Sequence, residues 1–152
     1  MDDATRKTVE TLNDLIETCK DGEYGFNACA ENGKSPELKR VLMGRANECR
    51  SAAQQLQTQV SELGGEAEES GSFSGSVHRG WVAVKNTLST YDDLAVLEEC
   101  ERGEDVAIKS YQQALKQPLP DHIRALVQLQ YEGVKRNHDE VRRLRDAAKV
   151  SS

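Results

Sequence analysis

The pentapeptide Cys19-Lys-Asp-Gly-Glu23 recurs in the second half of the chain as Cys100-Glu-Arg-Gly-Glu104. Each copy is followed by a proline at a similar offset, Pro36 after the first copy and Pro120 after the second. A repeat of this kind is typical of a copied supersecondary unit that buries its apolar face against its neighbour. The sequence therefore predicts two related hairpins that pack together.

Apolar residues around both copies recur at steps of three and four, which is the spacing of one face of an α-helix. The sequence of Ser35-Pro36-Glu37 combines an N-cap, a first-turn proline and a first-turn acid, and Gly64-Gly65 is a helix stop. The pattern predicts helices at about 4–31, 36–63, 76–89, 91–117 and 120–148.

The stretch from Glu66 to Gly75 is acidic and rich in serine and glycine, which is typical of a loop. The shorter helix predicted at 76–89 follows it, so the two hairpins are joined by a long connection. Two helix pairs joined in this way have the connectivity of ferritin-like bundles. We expect one domain over residues 1–152, an all-α, antiparallel four-helix bundle whose long crossover carries a short extra helix.

Composition argues against a nucleic-acid partner, since the 152 residues carry a formal net charge of −6. Basic residues gather only near the C-terminus, at Arg136, Arg142, Arg143, Arg145 and Lys149. Acidic residues interrupt this run, and cations at the end of a helix complement its dipole. We therefore expect no nucleic-acid binding.

The N-terminus, Met1-Asp-Asp-Ala-Thr5, has neither the basic start nor the apolar stretch of a signal peptide, and no run is long enough to span a membrane. These features predict a cytoplasmic protein with no membrane partner. Four cysteines, Cys19, Cys29, Cys49 and Cys100, form no Cys-x-x-Cys pair. We expect buried, reduced thiols and neither a zinc site nor a redox motif.

Polar residues interrupt the apolar faces of the predicted helices, and burying such a residue without a partner costs several kcal/mol. They are Glu23, Arg45, Glu104 and His138, with Glu101 one step before Glu104. Counting from the hairpin turns places Glu23 level with Arg45, and His138 level with Glu101 and within a turn of Glu104. The sequence predicts that these side chains meet in a polar layer of the core.

Several stretches carry a resemblance to known proteins. They are Leu12-Asn-Asp-Leu-Ile-Glu-Thr-Cys-Lys-Asp-Gly-Glu23, His78-Arg-Gly-Trp81, Glu98-Glu-Cys-Glu-Arg-Gly-Glu-Asp105 and Arg136-Asn-His-Asp139. With them the chain resembles, over almost its whole length, a bacterial family of four-helix-bundle proteins of unassigned function. That family lies within the ferritin-like, rubrerythrin-like superfamily.

The resemblance implies where metal ligands would lie. Di-iron members place one glutamate on each of helices one and three, and a Glu-x-x-His motif on each of helices two and four. Glu23 and Glu104 match the single glutamates, and His138 matches the histidine of the fourth helix. Further ligands could come from Glu48, Glu101 and Glu132.

This sequence also departs from the di-iron pattern. The matching positions of helix two hold Cys49 and Ala52, and Lys135 stands three residues before His138. Glu23, Glu104 and His138 could hold one weakly bound ion of iron or manganese. We favour the other reading, in which Glu23 pairs with Arg45, and His138 pairs with Glu101 or Glu104, because a guanidinium competes with any cation for a carboxylate.

Three functions follow from these readings. We favour a non-catalytic bundle with a degenerate di-iron site and no cofactor. We expect it to self-associate as a dimer and to have a structural, interaction or stress-associated role. The alternative is a metal-dependent oxidase or metal-storage protein that uses Glu23, Glu104 and His138. A third hypothesis is a carrier that holds a small ligand between its helices. No set of nucleophile, base and orienting residue can be assembled from the sequence, which favours a protein that is not an enzyme.

Overall fold

The computed structural model describes residues 1–69 and 93–151. In these two ranges the chain forms four α-helices and no strand. The helices are α1 (Asp3–Asn32), α2 (Pro36–Glu62), α3 (Asp93–Leu115) and α4 (Asp121–Ser151). The short helix expected at 76–89 lies outside the described residues. No helix of the described part is long and apolar enough to cross a membrane.

Local sequence explains where the first two helices begin and end. The Asp2 carboxylate accepts a hydrogen bond of 2.7 Å from the backbone N–H of Thr5, which caps α1. Ser35 caps α2 in the same way through its hydroxyl, and Pro36 occupies the first turn. After α2 the chain turns through Gly64, whose φ of 84° lies in the left-handed region that glycine adopts without strain.

The helices form two hairpins, α1 with α2 and α3 with α4, and the hairpins meet mainly through α1 and α3. The two Asp93 carboxylate oxygens accept hydrogen bonds from the backbone N–H groups of Lys34 (2.7 Å) and Ser35 (3.1 Å). The start of α3 therefore lies beside the end of α1, and these two helices are antiparallel. Helices α2 and α4 touch each other at few points. The expectation of an all-α, ferritin-like four-helix bundle is confirmed.

Buried apolar side chains form two clusters along the bundle. One cluster includes Leu12, Ile16, Leu56, Tyr111 and Ile123. The other includes Phe26, Leu42, Val96, Leu97 and Val141. Along their helices, Glu104 and His138 fall between the two clusters, and both are buried. Glu104 and His138 thus mark a polar level that interrupts the apolar core, and this level is the candidate site.

Candidate functional site

Arg45 is the central polar residue of the bundle. Its side chain is only 8% exposed, and its Nε atom lies 3.7 Å from Glu104 Oε2 on α3. One terminal nitrogen of its guanidinium lies 3.7 Å from Glu48 Oε2 on the same helix. The guanidinium also stacks over the Phe26 ring, 5.5 Å from the ring centroid, which is a favourable cation–π distance.

Glu104 is fully buried, with a side-chain exposure of 0%. Neither of its carboxylate oxygens, nor Arg45 Nε, has a hydrogen-bond partner among the described residues. Burial disfavours the charged form and raises the pKa of Glu104 to about 7, although the nearby Arg45 acts in the opposite direction. Arg45 and Glu104 therefore form an ion pair with unfilled hydrogen-bonding capacity.

Glu23 does not reach this centre, which corrects the expected pairing with Arg45. Its side chain is 25% exposed and lies 3.8 Å from Arg50 Nε, on the outer side of the α1–α2 contact. The core position on α1 is taken by Gly22, where an added Cβ would come within 2.9 Å of Cys49 Sγ. The close approach of α1 to α2 at Gly22 turns the neighbouring glutamate away from the core.

The expected pairing of His138 with Glu101 or Glu104 is also replaced by other contacts. His138 Nε2 lies 2.8 Å from Asp105 Oδ1, and His138 Nδ1 lies 3.9 Å from Asp139 Oδ1. Glu101 is bound by Arg145 and lies 3.6 Å from Arg142 Nε. Part of the basic run near the C-terminus thus joins α4 to α3, beyond its effect on the helix dipole.

Two of the further carboxylates that the resemblance suggested, Glu48 and Glu132, lie on the surface. Glu48 is exposed and accepts a hydrogen bond of 3.0 Å from the Asn137 side chain. Glu132 is exposed and accepts a 3.4 Å hydrogen bond from Gln128 one turn earlier on α4. Within residues 1–69 and 93–151, no three histidine, cysteine or acidic side chains converge as metal ligands would. The residues present do not fit a di-iron centre.

A cleft of about 370 Å³ opens beside the Arg45–Glu104 pair. Its walls come from α2 and α4, which scarcely touch, and α1 and α3 contribute to its lining. Apolar lining residues include Phe26, Ala52, Ala107, Leu129 and Val134. The volume falls within the range of roughly 300–1,000 Å³ that is usual for small-molecule pockets.

Thiol and phenol groups line the cleft next to the ion pair. Cys19 Sγ lies 3.3 Å from the Tyr111 hydroxyl, which donates a 2.9 Å hydrogen bond to Gln130 Oε1. Burial raises the pKa of Cys49 to about 12, so its thiol stays protonated near neutral pH. All four cysteines are buried free thiols. A buried, protonated thiol such as that of Cys49 is a poor nucleophile.

Sequence reasoning missed Asp105 and Gln130, which complete the contacts of His138 and Tyr111. Asp105 follows Glu101 by four residues and so lies on the same side of α3. That acidic stripe, opposite the histidine and arginines of α4, was the available signal. Gln130 carried no such signal, because a single glutamine on a helix flank is usually solvated.

Comparisons with known proteins agree with the fold. The family described as "Domain of unknown function (DUF2383)" matches residues 7–117. No curated protein matches the chain. Solved structures similar to the chain include a bacterioferritin-related, dodecameric thioferritin from Bacteroides fragilis, with a TM-score of 0.77 and 15% identity, covering 97% of this chain and 89% of that one.

Two further structures cover nearly the whole of both chains. A mutant of Dps1 from Mycobacterium smegmatis has a TM-score of 0.75 and 13% identity, over 95% of this chain and 99% of that one. A ferritin-like, diiron-carboxylate protein from Bacillus anthracis has a TM-score of 0.71 and 17% identity, over 95% and 99% of the two chains. At these identities the likeness concerns the fold alone.

Proposed function

The chain belongs to the DUF2383 family, whose function is unknown, and we propose that it is a non-catalytic, metal-independent ferritin-like bundle that acts by binding other molecules. The observation that carries this proposal is the contact between Arg45 and Glu104. Arg45 brings a permanent positive charge to the polar level of the core, beside the one fully buried carboxylate described there.

A metal ion at this position would meet electrostatic opposition. A divalent cation bound to Glu104 would lie close to the Arg45 guanidinium, whose Nε is 3.7 Å from the carboxylate. Arginine stays protonated at any physiological pH, and like charges at such distances repel by several kcal/mol where water is excluded. The guanidinium supplies the charge that a metal ion would otherwise provide.

The remaining matched ligands are engaged elsewhere. Glu23 faces Arg50, and His138 is bonded to Asp105. A dinuclear iron site needs several carboxylates and imidazoles around one point. Glu104 alone offers too few ligands, and this supports a degenerate site over the alternative of an oxidase or a metal-storage protein.

The role that we propose is structural, interacting or stress-associated, in the cytoplasm and as a homodimer. The Bacteroides fragilis protein is described as dodecameric, which supports self-association. Large apolar side chains, including Met43 (55% exposed) and Leu129 (63% exposed), lie on the surface of α2 and α4. Light scattering coupled to size-exclusion chromatography tests the dimer, and a monomer at micromolar concentration would contradict it.

Metal analysis tests the central proposal. Protein purified without chelator is expected to contain far less than one equivalent of iron or manganese by mass spectrometry, and to take up neither metal in calorimetry. The variant Arg45→Glu replaces the positive charge that opposes a metal ion with a carboxylate. This variant should therefore bind a divalent metal more tightly than the wild type.

The alternative function predicts the opposite results. On the order of one or two equivalents of iron or manganese in the purified protein would show that a metal site exists. Loss of that metal in His138→Ala would then assign the site to Glu23, Glu104 and His138. The variant Arg40→Glu, which makes the same change of charge at another exposed residue of α2, is the control for surface effects.

A further inference from the structure

The cleft between α2 and α4 is lined by two buried, ion-paired side chains, Arg45 and Glu104, whose hydrogen-bonding capacity is not filled. Arg45 Nε and both Glu104 oxygens have no hydrogen-bond partner among the described residues. Both side chains are more than nine-tenths buried, and both line the cleft. Buried polar atoms in native proteins are nearly always hydrogen-bonded, and a buried donor without a hydrogen bond destabilises the folded state. Such a donor beside a cavity indicates a ligand's polar group.

The rest of the cleft suits a hydrocarbon. Phe26, Ala52, Ala107 and Val134 contribute apolar surface, and Leu129, which is 63% exposed, lies at the border of the cleft with solvent. A hydrocarbon that buries apolar surface in the cleft removes it from water, which favours binding. The cleft therefore places one cationic side chain beside a lining that is largely apolar, to which Gln55 and Gln130 add polar groups.

We propose that the cleft binds an amphipathic monocarboxylic acid, with its carboxylate on Arg45 and its hydrocarbon part between α2 and α4. This inference rests on the proposed function, in which the polar level holds no metal. Arginine is the side chain best suited to a carboxylate, because its planar N–H groups match the two oxygens.

The neighbouring acids are compatible with this occupant. Burial raises the pKa of Glu104 to about 7, so near neutral pH a large part of the population carries a proton that can be donated to the ligand carboxylate. Glu48 also lies 3.7 Å from Arg45, but its side chain is 56% exposed, and water screens its charge. A cationic ligand would instead be opposed by Arg45.

Calorimetry with octanoate, on the metal-free full chain, tests the proposal, with octan-1-ol as the ligand that lacks the carboxylate. We expect saturable binding of octanoate with one site per chain, and binding of the alcohol at least about tenfold weaker, since a charge-assisted hydrogen bond contributes about 1.5–3 kcal/mol. Equal binding of both compounds, or no binding of octanoate, would overturn the proposal.

Three variants locate the site. Arg45→Met keeps a side chain of similar length and should weaken octanoate binding at least about tenfold. Arg50→Met makes the same change on the same helix at a residue that does not line the cleft, and should leave binding unchanged. Gly133→Leu places a side chain at the cleft wall, where an added Cβ meets only the end of Arg136 at 3.6 Å, and should block binding.

The variant Glu104→Gln tests whether the ligand binds as an anion. Removal of the carboxylate's negative charge should tighten octanoate binding severalfold, whereas weaker binding would overturn the proposal. If Arg45→Met does not fold by circular dichroism, then Gly133→Leu and Glu104→Gln still decide the outcome. A metal ion in the purified protein would refute the proposed function. Metal-free protein that does not bind octanoate would refute this inference alone.

Discussion

Arg45 on α2 lies against Glu104 on α3, with 3.7 Å between Nε and Oε2, and so joins the two hairpins across the polar level of the bundle. The repeat partner of Glu104, Glu23, has no such role, since it faces Arg50 within its own hairpin. The two copies of the Cys-x-x-Gly-Glu sequence have therefore diverged in burial. One glutamate is fully buried, and the other lies at the edge of a helix contact.

The burial of Glu104 makes stability depend on pH. Its pKa is about 7 in the folded chain and near its ordinary value of 4.5 when unfolded, so the folded state holds the proton more tightly. The stabilising effect is complete below the unfolded pKa and is lost as pH rises through about 7. We expect the free energy of unfolding to be about 2 kcal/mol lower near pH 8 than near pH 5 on account of Glu104.

Urea denaturation across this pH range measures the effect, and Glu104→Gln is the control, because it keeps the shape and removes the titration. The groups that act on Glu104 are Arg45 and Glu48 from α2 and Asp105 on its own helix, which is bonded to His138 of α4. A variant whose stability falls with pH as steeply as that of the wild type would contradict the prediction.

Two glycines should respond oppositely to alanine. At Gly22 an added Cβ would lie 2.9 Å from Cys49 Sγ, so Gly22→Ala should destabilise the protein by ~1–3 kcal/mol through overpacking. At Gly44, on the exposed side of α2, an added Cβ meets nothing within 4 Å. Gly44→Ala should stabilise by about 1 kcal/mol, because alanine favours the helix. Thermal denaturation of the two variants compares them, and equal shifts would refute the close contact.

The cysteines should be inert in the native protein. All four are buried. Desolvation raises the pKa of Cys49 to about 12 and also raises the pKa of Cys19 and Cys100, so these three thiols stay protonated near pH 8. A thiol reagent such as Ellman's reagent should label the native chain slowly and all four residues in guanidinium chloride. Ser51→Cys, which adds an exposed thiol on the same helix, is the positive control. Rapid labelling of the native wild type would contradict the buried environment.

The bond between His138 and Asp105 should contribute modestly to stability. The His138 side chain is 11% exposed and the Asp105 side chain 55% exposed, with 2.8 Å between them. Solvent therefore weakens the interaction, and a double-mutant cycle with alanine at both positions should give a coupling of roughly 0.5–1 kcal/mol. The same cycle with Asp139, 3.9 Å away and 81% exposed, should give about zero. Similar couplings for both acids would contradict the assigned partner.

The helical fold was predictable because apolar spacing constrains a long helix at many positions. The residues Leu12, Ile16 and Phe26 recur on one face, and all three are buried in the structure. The Ser35-Pro36 pair places the start of α2 through chemistry that is local to the chain. The long connection between the hairpins indicated the ferritin-like topology, although the predicted crossover helix lies outside the described residues.

The partners in the polar level were not predictable from spacing. Counting residues from a turn gives only an approximate height for a side chain in the bundle, and it does not tell which neighbouring helix the side chain faces. The Arg45 guanidinium lies over Phe26 of α1 and beside Glu104 of α3. Glu23 instead lies beside Arg50, which is more than one turn further along α2, so Glu23 is not level with Arg45. Adjacent residues of a helix point about 100° apart, so a shift of one position exchanges a core residue for a flanking one.

The contact of Asp93 with the α1–α2 turn has a consequence for how the chain can be divided. Its carboxylate accepts from the backbone of Lys34 and Ser35, so the start of the second hairpin is held by a hydrogen-bonded junction and not only by the polypeptide that precedes it. Two separate polypeptides, one for each hairpin, carry every group of this junction. The bundle is thus suited to fragment complementation, in which two halves made apart recognise each other and restore the native assembly.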